Sequence, residues 1–165
     1  MGRILSGLLL VALLAPGIAG QDISNRLERF YLFNACRPMQ LVVEELDDDA
    51  ADIGLTQEAL QAAAESRLRA ARLYAVDGIR ADFSHLYVNI NVTPRAFSVS
   101  LAYYKWVTDE FGQSASAQTW HSGATGTHGG DAGYIVSALS QYLDTFLAAY
   151  LRVNEESCGS PAGRP

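Results

Sequence analysis

Four groups of residues have types and spacings that could do chemistry. The first is a run of glycines, Gly123, Gly126, Gly129, Gly130 and Gly133, just ahead of a long apolar-periodic segment. Backbone amides at such a helix start can converge on an anion, which makes Gly126, Gly129, Gly130 and Asp131 a candidate anion-binding loop. The run lacks the G-K-[ST] ending of a P-loop and sits in no dinucleotide-binding βαβ pattern. A plain strand-to-helix connection is therefore the simpler reading. The second group is His121, His128 and Asp131, because imidazole plus carboxylate suits zinc. Two histidines with six residues between them match no established ligand spacing, and His85 is far away in sequence. His121 and His128 are thus weak metal candidates, and no cofactor is expected. A nucleophile is equally hard to find. Gly112-Gln113-Ser114 continues as Ala115-Ser116, which spoils a G-x-S-x-G elbow, and neither S-x-x-K nor H-E-x-x-H occurs. No catalytic residue is assigned.

The third group is the cysteine pair, Cys36 and Cys158. An even count in an exported chain favours a disulfide, and without a C-x-x-C pair its role is structural. The fourth group is a polar-aromatic surface: Tyr87, Asn89, Tyr104 and Trp106, with Trp120 adjoining and Asn91, Ser98 and Ser100 between them. Aromatics mixed with amides and hydroxyls can dock a peptide, a glycan or a partner protein. The bland alternative is a face covered by residues 22–35 or by a second copy.

Several elements must hold these groups in place. Residues 39–46 read as a first strand. An acidic cluster follows, and Ala51 and Asp52 fall where an EF-hand loop needs a ligand and a glycine, so it is read as a solvated loop. Residues 55–74 form a helix with Thr56 as N-cap, Glu58 in the first turn, and Leu60, Ala64, Leu68 and Ala71 as its apolar stripe. Residues 83–92 and 97–107 alternate cleanly. Leu86, Val88, Ile90 and Val92 lie on one side of the first run, and Phe97, Val99, Leu101 and Tyr103 on the same side of the second. Matching faces pairs Val92 with Phe97. Residues 114–121 are a weaker third strand of the meander. Asp131 then caps a long helix whose stripe is Ile135, Leu139, Tyr142, Phe146, Tyr150 and Val153. Residues 22–35 fit either a short helix or an extended segment. The order β-α-β-β-β-α predicts an α+β two-layer sandwich, a mainly antiparallel sheet of about four strands with two helices on one face.

Composition sets the class. The chain has 165 residues, 49% hydrophobic and 18% charged, enough apolar content for one folded domain. A net charge of -6 and a single lysine argue against nucleic-acid binding. Arg3, the apolar run 4–14 and the small residues at 17–19 read as a signal peptide. The expected organisation is therefore signal peptide 1–19, domain 20–158 and a flexible tail 159–165. No stable membrane insertion is expected after cleavage, and the location is periplasmic or secreted.

The stretches Leu86-Tyr-Val-Asn-Ile-Asn-Val92, Gly126-Thr-His-Gly-Gly-Asp-Ala-Gly-Tyr134, Tyr150-Leu-Arg-Val-Asn154 and Cys158 resemble a group of small uncharacterised exported proteobacterial proteins. The resemblance covers residues 36–158, implies a periplasmic location and brings no function with it. The expected function is an exported, non-catalytic binding or accessory domain of the bacterial cell envelope. Its partner is an envelope protein, a peptide or a glycan, and a homodimer is possible on the same pattern. The alternative is a small metal-dependent or hydrolytic enzyme centred on His121, His128 and Asp131.

Overall fold

The computed structural model describes residues 18–75 and 84–159, with side chains from Ile23 onward. Most of the expected signal peptide, the turn at Asp77-Gly78 and residues 160–165 lie outside the described residues. Eight elements run in the order α1 (Ile18–Leu32), β1 (Gln40–Val43), α2 (Asp48–Asp52), α3 (Gln57–Ala70), β2 (His85–Val92), β3 (Phe97–Thr108), β4 (Ser114–Gly126) and α4 (Ala132–Gly159). The fold is α+β, a four-stranded sheet in the order β1-β2-β3-β4 with helices packed on it.

The meander follows from the alternation. Val92 pairs with Phe97 and His85 with Tyr104, the register that keeps apolar side chains on one face. The sheet is mixed rather than antiparallel throughout, because β1 pairs parallel to β2. The helical crossover through α3 is what permits that. Two further helices, α1 and α2, were not both expected. The ambiguous stretch 22–35 is mostly helix α1, which packs against α4 and β4. The Thr119 hydroxyl donates to the Tyr31 carbonyl at 2.7 Å, and Lys105 Nζ to the Phe33 carbonyl at 2.9 Å.

One core holds the layers together. Leu60, Ala64 and Leu68 of α3 and Ile135, Leu139, Leu143, Phe146 and Tyr150 of α4 meet Leu86, Val88, Val99, Leu101 and Tyr103 of the sheet. Helix α3 starts where expected, with the Thr56 hydroxyl accepting from the Ala59 amide at 3.2 Å. It closes at Arg72, which sits at φ 59° so that the Leu73 amide reaches the Leu68 carbonyl at 2.8 Å. Leu151, next to Tyr150 of the stripe, faces away from it and is exposed.

The α1–β1 junction is fastened twice. Cys36 and Cys158 form a disulfide across 122 residues of sequence. Four residues before Cys158, the buried Asn154 amide is fully used. Its Oδ1 accepts from the Asn34 and Cys36 amides at 2.9 and 3.3 Å, and its Nδ2 donates to the Leu32 and Tyr150 carbonyls at 3.0 and 2.8 Å. Ala35 and Cys36 both have positive φ here, a backbone that cannot make regular ladder bonds and takes side-chain partners instead.

Candidate binding face

All four helices contribute buried residues to the single core on one side of the sheet. The opposite face therefore carries the alternate residues of β2, β3 and β4, most of them half-buried or exposed. His85 and Tyr104 sit opposite each other in the ladder, and their rings stack at 4.6 Å with 6° between planes. Tyr87 meets Tyr104 edge-on at 6.4 Å, and Ala102 is buried between these rings and His121. The Tyr104 hydroxyl donates to Gln118 Oε1 at 3.1 Å. Trp106, on the same strand face, is 47% exposed.

A polar half lies beside the aromatic one. Glu44, two residues beyond Val42, continues the β1 alternation onto this face. Its carboxylate accepts from the Tyr87 hydroxyl and the Asn89 amide, which holds the Glu44 carboxyl below its usual range and pushes the Tyr87 phenol up. Asn91 Nδ2 donates to Asn89 Oδ1 at 2.6 Å and to Ser98 Oγ at 3.3 Å. Ser100 Oγ lies 3.0 Å from His121 Nε2. Burial lowers the affinity of His85 for a proton, which favours the neutral imidazole in its stack on the Tyr104 phenol. The face offers amides, hydroxyls, imidazoles and one carboxylate around three aromatic side chains.

Trp120 does not join this face. A β-bulge in β4 opposite Tyr103/Tyr104 inserts Thr119, after which the alternation reverses. Trp120 thereby pairs with Tyr103 and packs on Phe146 with ring centroids 5.1 Å apart. His121 takes the position on the open face that Trp120 was expected to fill. No alternation in Ser114–Gly126 could have revealed the extra residue, because its side chains are small and polar on both faces. Glu44 was recoverable by extending the Gln40, Val42 phase by one more step.

The expected glycine loop is largely something else. Gly123 and Gly126 are residues of β4. A Cβ on Gly123 would come within 2.5 Å of the Val99 carbonyl oxygen, and one on Gly126 within 2.9 Å of the Phe97 ring, so both permit close packing on β3. Gly129 and Gly130 make the turn, at φ 59° and 81°. Asp131 Oδ1 accepts from the Gly133 and Tyr134 amides at 2.8 and 3.3 Å, which occupies donors an anion would use.

His121 and His128 have separate roles. His128 is buried, its Nε2 2.8 Å from the Thr93 carbonyl and its Nδ1 accepting from the Gly130 amide at 3.0 Å. That pairing fixes the Nε2–H tautomer and leaves no lone pair for a metal. Among the described residues, no group of three or more His, Cys, Asp and Glu is placed to hold a metal ion.

No protein-family model and no curated protein matches the chain. One solved structure, described as "Crystal structure of uncharacterized protein", is 17% identical over 76% of this chain and 94% of that one, with a TM-score of 0.29. At that score the likeness brings neither fold nor function to this chain. Among the described residues no helix is long and apolar enough to cross a membrane.

Proposed function

We propose that the chain is an exported, non-catalytic binding or accessory domain of the cell envelope that engages a partner through the open sheet face. The observation that carries this reading is the set Tyr87, Asn89, Tyr104 and Trp106, joined by His85, Glu44 and His121, on the side of the sheet opposite the helices. Aromatic side chains, two of them in ring contact, beside amide and hydroxyl groups suit a peptide, glycan or protein surface. Export is supported by the Cys36–Cys158 disulfide, a feature of oxidising compartments. On this reading residues 1–19 are the removed signal peptide, residues 20–158 the working domain and residues 159–165 a tail.

The enzyme alternative at His121, His128 and Asp131 lacks comparable support, since His128 and Asp131 spend their polar atoms on the backbone. The test is retention of an envelope extract and of a glycan panel on immobilised mature protein. Tyr87→Ala and Tyr104→Ala are expected to lose what the wild type retains, while Ala62→Lys on the exposed side of α3 keeps it. Identical retention by all four proteins would sink the reading.

A further inference from the structure

The two edges of the sheet are built differently. The β1 edge is four residues long and runs into Glu44 and Glu45, so shortness and charge both discourage another strand from pairing there. The β4 edge is thirteen residues long, and among the described residues no strand pairs with its outer side. It has no charged residue and no proline. The whole stretch 111–130 is free of Asp, Glu, Lys and Arg, in a chain of net charge -6. Among the described residues its protection is the bulge at Thr119 and the contact that α1 makes beside it.

Beyond the bulge lies an open cleft. The helix-side residues Ala124 and Gly126 are small, which leaves a cavity of about 170 Å³ walled by Phe97, Tyr134, Ala138 and Tyr142. Tyr134 is 53% exposed at its rim.

We infer that the second half of β4, residues 120–126, pairs antiparallel with the same segment of a second copy, joining two sheets into one of eight strands. A two-fold axis at Gly123 opposes Ala124 with Ser122, Thr125 with His121 and Gly126 with Trp120. Each of these pairs shares a face, as alternation requires. Charge selects this edge for a second copy: two chains of net negative charge repel each other, and among the described residues this is the sheet edge where neither brings a carboxylate. Seven residues at about 3.4 Å each, across a sheet and a helix layer, bury on the order of 500 Å² per copy. That is below a standard interface, so the dimer dissociates on dilution. It also places two copies of the open face side by side, with His121 of each near Thr125 of the other.

Sedimentation equilibrium of the mature protein between about 5 and 500 µM tests this, a range suited to a weak dimer. A reversible monomer–dimer equilibrium is expected. Ala124→Lys and Thr125→Lys are expected to weaken it at least tenfold, and Ala62→Lys to leave it unchanged. All three make the net charge of the mature protein one unit less negative, so general repulsion predicts the opposite sign. A monomer at every concentration, or a dimer indifferent to both β4 lysines, overturns the inference. If the lysine variants fail to fold, hydrogen exchange of the wild type decides. Amides of 120–126 must gain protection with protein concentration while those of β1 do not. A monomer whose β4 amides are protected instead by a capped nonapeptide alternating serine and valine would mean that the edge takes foreign peptides, which also overturns self-pairing.

Discussion

Replacing Asn154 with leucine removes the clamp at the α1–β1 junction while keeping the number and branching of side-chain heavy atoms. The substitution deletes four hydrogen bonds and strands three backbone groups, the amides of Asn34 and Cys36 and the carbonyl of Leu32. A buried group left without a partner costs roughly 1–3 kcal/mol, and this junction is part-buried, so about 1 kcal/mol each gives a loss of about 3–4 kcal/mol. In a domain of this size that lowers Tm by roughly 8–14 °C. Urea denaturation of the oxidised protein, with thermal melting alongside, reads the change. The disulfide holds the same junction, so the loss should not add to that of Cys36→Ser/Cys158→Ser in a double-mutant cycle. A loss below about 1 kcal/mol with the disulfide intact would show that the amides find other partners and that the clamp is incidental.

Other consequences follow the same logic. Reducing the disulfide frees a loop closed across 122 residues and is expected to cost up to about 5 kcal/mol, read by denaturation with and without reductant. Trp120→Ala is expected to destabilise by about 2–4 kcal/mol and Trp106→Ala by less than about 1 kcal/mol. Equal effects by urea titration would place the bulge wrongly. Burial raises the phenol of Tyr150 to about 12 and that of Tyr103 in the same direction. Stability from the neutral phenols is complete below the unfolded value near 10 and drains away as pH rises towards about 12, measurable as alkaline unfolding that Tyr150→Phe reduces. For Glu44 the folded pKa is depressed, so its contribution is present above the unfolded value of 4.5 and vanishes as pH falls through the folded one. Carboxyl NMR should show an ordinary pKa for Glu44 in Tyr87→Phe/Asn89→Ala, and an unchanged low value would reject the assigned donors.

The parts of the fold that were legible are those where burial writes a period into the sequence. Leu86, Val88, Ile90 and Val92 facing Phe97, Val99, Leu101 and Tyr103 fix the hairpin and its register, and Thr56 fixes the start of α3. The parallel pairing of β1 was not legible, because four residues carry too little pattern to show direction. The stretch 22–35 was ambiguous because its aromatics Phe30, Tyr31 and Phe33 suit a strand as well as a helix. Thr119 hid its bulge among residues too small to mark either face, so Trp120 was assigned to the wrong side and the strand was ended at His121, five residues short of Gly126. Asn154 sat inside an apolar helix with nothing nearby in sequence to show that its partners lie about 120 residues away.

The central claim is that the sheet face opposite the described helices is the working surface, and site-specific photocrosslinking in living cells tests it most directly. A benzophenone side chain is placed at Tyr104 and, separately, at Ala62 on α3, in the full chain with its disulfide formed. The account predicts a discrete crosslinked adduct from position 104 and none from position 62. No adduct from the face, or the same adducts from both positions, would contradict it.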